Sequence, residues 1–178
     1  MRAFLAIPLP PPTRQALASV ANQIDGLRAQ KPHTIHLTLR FLDEIADPAP
    51  IVEALTPVAA AHEPFEMSLE RIGVFPPRGA PRVVWVGLGA GEMQAGALAA
   101  GIENALVPLG FRRERRPWHG HVTLGRFRSP PRRADGLVDE DRRFGQVPAE
   151  KLVLFESNLT PDGAVHEVLQ ELSLGRDK

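Results

Sequence analysis

His36-Leu37-Thr38-Leu39-Arg40-Phe41 is nearly repeated later in the chain as His121-Val122-Thr123-Leu124-Gly125-Arg126-Phe127. In the first stretch Ile35, Leu37, Leu39 and Phe41 alternate with His36, Thr38 and Arg40, the pattern of a strand with one face in a core. Residues two apart in a strand point the same way, so each motif sets one imidazole and one hydroxyl side by side on one face. Two such pairs, brought face to face, suit one small anion. Strict alternation places Arg40 on the face of His36 and Phe41 in the core. It sends Arg126, at an odd offset from His121, to the opposite face, unless a bulge at Gly125 turns Arg126 inward.

Outward from the two motifs the pattern is similar. Arg2 to Leu9 reads as a strand, and Pro11-Pro12-Thr13 opens a helix with Leu17, Val20, Ile24 and Leu27 on one face. Thr34 to Leu42 is the first motif strand. Ile51, Leu55 and Val58 mark a helix, and Phe65 to Phe75 a strand, before the turn-rich joint Pro76-Pro77-Arg78-Gly79-Ala80-Pro81. The order then restarts: strand Arg82 to Leu88, helix Glu92 to Leu106, motif strand His119 to Phe127, and a short helix or loop from Ala134 to Phe144. Val147 to Ser157 and Ala164 to Leu174 close the chain as a hairpin turning through Asn158 to Gly163. This reads as a duplication, with approximate repeats 1–76 and 81–174 packed about a pseudo-twofold axis so that the motif strands confront each other across a groove.

Composition bounds the chemistry. The 178 residues, 43% of them apolar, suit one domain made of two intimately packed halves. There is no cysteine, which excludes disulfides, thiolate zinc sites and a cysteine nucleophile. The apolar run at the start meets Pro8 too early for a signal segment or membrane span, so a cytoplasmic location is expected. Basic and acidic residues balance at 21 each, but eight of the arginines fall between Arg112 and Arg133 beside the second motif, with Glu114 the single glutamate or aspartate among them. A local site for phosphate, rather than a global field, is what this distribution supports.

Two histidines facing one substrate can divide labour, since imidazole titrates near 6.5 and serves as base in one state and acid in the other. No metal is required, and the chain offers no H-x-x-x-H or H-x-H-x-D pattern. Thr38 and Thr123 would hold nonbridging phosphate oxygens, and Arg40 or Arg126 would neutralise charge gathering on phosphorus, with Arg40 favoured by its face. This arrangement fits in-line attack by water on a phosphodiester. With no tyrosine in the chain, His119, Trp85 and Trp118 are the expected base or ribose contacts. His33, His62 and His166 are expected to be solvated.

The chain resembles the 2H phosphoesterases, which carry two His-x-Thr/Ser-x motifs in a bilobal fold with a central cleft. Four segments, spanning nearly the whole chain, carry a resemblance to the branch of bacterial and archaeal RNA 2',3'-cyclic phosphodiesterases, also called 2'-5' RNA ligases. They are Ile35 to Leu42, Val74-Phe75-Pro76 with Pro81 to Gly87, His121 to Arg126, and Leu152 to Ser157 with Pro161-Asp162-Gly163. The resemblance implies an α+β fold with mainly antiparallel sheets flanking the cleft, no cofactor, and a monomer. It implies hydrolysis of RNA 2',3'-cyclic phosphate ends, such as tRNA fragments, to 2'-phosphomonoesters, with weak reversal to a 2'-5' linkage. By motif position it makes His36 the proton donor and His121 the proton acceptor, and it raises Arg126 as a phosphate ligand. Gly120, Gly125 and Asp43 depart from the family's usual Pro, Ala and Gly without touching the His-Thr pairs. The competing expectations are a cyclic phosphodiesterase of small nucleotides, including ADP-ribose cyclic phosphate, and a noncatalytic RNA-end binding module.

Overall fold

In the computed structural model, which describes residues 1–176, the chain forms nine strands and three α-helices among the described residues. In order they are β1 (Arg2–Pro8), α1 (Pro11–Asn22), β2 (Leu27–Ala29), β3 (His36–Glu44), α2 (Ala49–Ala61), β4 (Phe65–Phe75), β5 (Val83–Leu88), α3 (Glu92–Leu106), β6 (His121–Phe127), β7 (Asp139–Ala149), β8 (Lys151–Thr160) and β9 (Gly163–Ser173). Proline opens α1, where the first-turn amides lack intrahelical partners and its fixed φ suits the helix. Of the apolar faces predicted for the helices, Leu17 in α1 and Ile51 and Leu55 in α2 are buried, while Val20, Ile24 and Val58 are half-buried against the core and Ala18, Ala21 and Ala59 are buried beside them; α3 buries Ala95, Leu98, Ala99, Ile102 and Leu106.

The strands build two antiparallel sheets, ordered β3-β1-β8-β9 and β2-β6-β5-β4-β7. Beyond the added edge strand β2, the second order has the same plan as the first, with β6, β5, β4 and β7 standing where β3, β1, β8 and β9 stand. Each sheet nevertheless takes strands from both halves of the sequence: β4 leaves the first half to pair with β5, and β8 leaves the second to pair with β1. The sheets are thus interlocked, and one apolar cluster runs from Leu5 and Leu37 through Leu98 to Val86 and Leu124. A motif strand lies at the edge of one sheet and next to the edge of the other.

Two elements differ from the sequence reading. The segment expected as helix or loop, Ala134 to Phe144, runs into β7, a strand from Asp139 at a sheet edge. Its first half, Asp139-Glu140-Asp141-Arg142-Arg143, is exposed and charged; charge on an edge strand blocks intermolecular pairing and also erases the apolar alternation by which strands are read. The closing hairpin accordingly starts at Lys151 rather than Val147 and turns at Pro161-Asp162. Leu27, counted on the face of α1, belongs to β2 instead: the helix stops at Asn22, and Gly26, at φ 74°, makes a left-handed turn that feeds the three-residue strand.

Candidate active site

Both motif strands carry a β-bulge at the same place. On β3, Thr38 faces Ala6 and Arg40 faces Leu5, leaving Leu39 without a partner on β1. On β6, Thr123 faces Trp85 and Gly125 faces Val84, leaving Leu124 unpaired on β5. An extra residue reverses which face the following side chains occupy. Leu39 and Arg40 are therefore both buried and Phe41 is 59% exposed; Leu124 and Gly125 are both buried and Arg126 is exposed.

The assignment of Arg40 to the face of His36, and of Phe41 to the core, is corrected by this shift. Arg40 is 9% exposed; its Nε lies 2.7 Å from Glu103 Oε1 on α3, and Nη1 bonds Glu114 while Nη2 donates to the carbonyl of Arg112. Its guanidinium ties β3 to α3 and to the arginine-rich loop. In the second motif the matching position is Gly125, where a Cβ would stand 2.6 Å from the carbonyl oxygen of Arg28 and 2.8 Å from Leu27. Strand β2 occupies the space that a side chain would need. Position for position, Arg126 corresponds to Phe41.

One cavity of about 280 Å³ is lined by His36, Thr38, His121, Thr123 and Arg126 together, with Gln30, Thr34, Phe41, Asp43 and His166. On the far side of His121 a groove of about 780 Å³ runs past His119, Trp118, Phe75 and Phe41. Trp118 is braced by donating its Nε1–H to the Thr38 carbonyl at 3.3 Å. Trp85 lies beneath this wall, its ring centroid 5.2 Å from Phe75 and 5.1 Å from His119, and it packs over Gly73, where a Cβ would come within 2.2 Å of the indole. Trp85 supports Phe75 and His119 and does not itself line either opening.

The two imidazoles are held alike. His121 Nδ1 lies 2.8 Å from the His119 carbonyl, which can only accept, so Nδ1 carries the hydrogen and Nε2 is left for a ligand. His36 is hydrogen-bonded to the backbone of Thr34, again two residues earlier. The His36 ring stacks on Phe4 at 4.7 Å, and burial, followed by the neighbouring His166, lowers its pKa to about 3, against the Thr34 bond that raises it. His121 is lowered chiefly by burial and further by His119 and Arg126, opposed by its bond to the His119 carbonyl. Burial thus favours the neutral form of both rings.

His166, expected to be solvated, is the residue that sequence reasoning missed. Strand β9 places it opposite Ser157 of β8 and 5.2 Å, ring to ring, from His36, where burial lowers its pKa too. Its even offset from Ala164 on a strand gave no signal, because only the β1–β8 pairing brings that hairpin to the cleft. Among the described residues, no three His, Asp or Glu side chains converge as a metal's ligands would, and no helix is long and apolar enough to cross a membrane.

These depressed pKa values make stability depend on pH. An unfolded imidazole titrates near 6.5, so between about pH 3 and 6.5 the unfolded chain binds more protons than the folded one. Stability is then complete above about pH 6.5 and declines as pH falls, by up to about 1.4 kcal/mol per pH unit for His36. Urea midpoints at pH 7.5 and 4.5 check this, with wild type losing more than His36→Gln; equal losses would reject the burial of a neutral His36.

A family model described as LigT like Phosphoesterase matches residues 7–85 and again residues 88–166. The chain belongs to the LigT-like phosphoesterase family. This phosphoesterase is similar to a protein of Archaeoglobus fulgidus named RNA 2',3'-cyclic phosphodiesterase, 33% identical with 96% of this chain and 98% of that protein covered. It is also 34% identical to one of Thermus thermophilus with the same name, covering 98% of this chain and 90% of that protein. Among solved structures, TT0787 of Thermus thermophilus superposes with a TM-score of 0.85 at 30% identity over 99% of this chain and all of that one. Escherichia coli LigT complexed with 3'-AMP shares the fold, with a TM-score of 0.76 over 98% of each chain.

Proposed function

We propose that this phosphoesterase hydrolyses RNA 2',3'-cyclic phosphate ends to 2'-phosphomonoesters without a metal, using His36 and His121 as acid and base, with weak reversal to a 2'-5' linkage. The observation that carries this reading is the convergence of two His-x-Thr pairs, one from each sheet, on a single cavity of about 280 Å³. The relatives' printed names support the RNA substrate.

Water is deprotonated by His121 Nε2 and attacks phosphorus; the P–O3' bond breaks, and the departing oxygen takes a proton from His36. Thr38 and Thr123 donate to the nonbridging oxygens, and Arg126 balances the charge that grows there. A phosphodiester anion beside two neutral, desolvated rings raises their proton affinity, so that His36 takes up one proton from solvent as the substrate binds. Burial against Phe4 makes a protonated His36 a strong acid, which is what protonation of an alkoxide requires.

The test is incubation of a short RNA ending in 2',3'-cyclic phosphate with the protein in EDTA, with chromatography of the product. A 2'-phosphate end is expected; a 3'-phosphate, or activity abolished by chelation, would overturn the reading. Cyclic-phosphate RNA bound without turnover would point to a binding module instead.

A further inference from the structure

We propose that a groove running from Arg126 along β2 binds the phosphates upstream of the reacting RNA end, with Arg28 and Lys31 holding them. This rests on the reading of the cleft as an RNA-end phosphodiesterase, and it adds a direction in which the chain leaves it.

In the β2–β6 pair Arg28 stands directly opposite Arg126. Like charges directly opposed across two strands destabilise a sheet, yet both residues are exposed, and neither is in an ion pair among the described residues. An anion between the two guanidiniums removes that repulsion. The groove beside them, of about 420 Å³, is lined by Arg28, Lys31 and Arg126 together with Thr160 and one carboxylate residue, Asp162. It shares Gln30, Thr34, Arg126 and Leu159 with the cavity of the two histidines, so the two spaces adjoin. Lys31 Nζ donates to the carbonyl of Asp162 at 2.6 Å, which pins the β8–β9 turn as the groove's far wall and holds the ammonium in it.

The opposed arginine pair marks this flank. Among the described residues strand β2 has no counterpart in the other sheet, and the opposite groove sets Arg82 and Arg116 on a wall of Phe75, Pro76, Pro77 and Trp118, its third arginine, Arg40, being held by Glu103 and Glu114. Guanidinium forks match phosphate oxygens in two-point contacts, and a positive groove that tracks the backbone is how single strands are held without sequence preference. A cyclic mononucleotide has no upstream phosphate and leaves this groove empty.

The experiment compares a nucleoside 2',3'-cyclic phosphate with a short RNA ending in the same cyclic nucleotide, for wild type, Arg28→Glu/Lys31→Met and Arg28→Lys. For the oligomer the double variant raises KM by about tenfold to a hundredfold at low salt and flattens the dependence of log kcat/KM on log salt by about 0.7 for each phosphate no longer neutralised. The mononucleotide kinetics stay at the wild-type values, which also shows that the variant is folded, and Arg28→Lys retains most of the oligomer's advantage. Equal loss on both substrates, or no change on either, overturns the groove. Should wild type turn over neither substrate, the catalytic reading fails by itself. Anisotropy of a labelled RNA oligomer then decides the groove, and unchanged affinity in the double variant overturns it.

Discussion

His36→Ala and His121→Ala each lower turnover of a cyclic-phosphate RNA end by about 100-fold to 10,000-fold, the worth of a positioned acid or base. Their rings come from different sheets, so neither can substitute for the other, and the double variant is expected to be little worse than either single one because the proton in and the proton out belong to one event. His36 also packs on Phe4 and beside Phe155, so Ala opens a hole; His36→Gln retains bulk and separates chemistry from packing. Thr38→Ala and Thr123→Ala remove a neutral donor to an anion and are expected to cost about tenfold to a hundredfold. Single-turnover rates decide the matter, and a near-normal rate in either histidine variant would reject that ring's role.

Arg40→Met lowers folding stability by about 3 kcal/mol while leaving kcat of the folded protein within a few fold. Removing one partner of a buried ion pair strands the other, and here the stranded group is Glu103, 19% exposed on the inner side of α3. Glu114 is left without its cation too, so the arginine-rich loop is released from β3. Arg126→Ala is the converse case: exposed and facing the cavity, it is expected to lose catalytic efficiency with stability almost unchanged. Urea denaturation and steady-state kinetics on both variants provide the comparison. Were Arg40→Met fully stable but slow, the bulge on β3 would be wrong and Arg40 would face the substrate as strict alternation places it.

The contrast between these two arginines shows where sequence reasoning stopped. Matching the repeats by residue type aligns Arg40-Phe41 with Arg126-Phe127 and treats Gly125 as an insertion. Counting from the histidines without a gap aligns Arg40 with Gly125 and Phe41 with Arg126, and the structure follows that count because both strands bulge at the third residue after histidine. The ungapped alignment was available in the sequence. What it lacked was a reason to prefer it, and that reason is β2, a strand of three residues whose backbone fills the place of a side chain at position 125.

Long amphipathic elements were legible because burying an apolar face imposes a period on the residues themselves. On this basis α3 and β4 lie where periodicity puts them, and the His-Thr spacing alone set each imidazole beside a hydroxyl, since two residues along a strand always share a face. Strand β7 was hidden because an edge strand with a charged outer half has no buried face to betray it. His166 was hidden for another reason: its approach to His36 depends on β8 crossing between the halves to pair with β1, a contact between residues far apart in the chain. Sequence by itself therefore determined the long amphipathic elements, the two motifs and the kind of chemistry they suit, all of which follow from local period and residue type. Which arginine faces the cavity, and which third histidine stands beside the first, was decided only in the tertiary structure, by two bulges and a strand exchange whose energies lie in packing across the sheets.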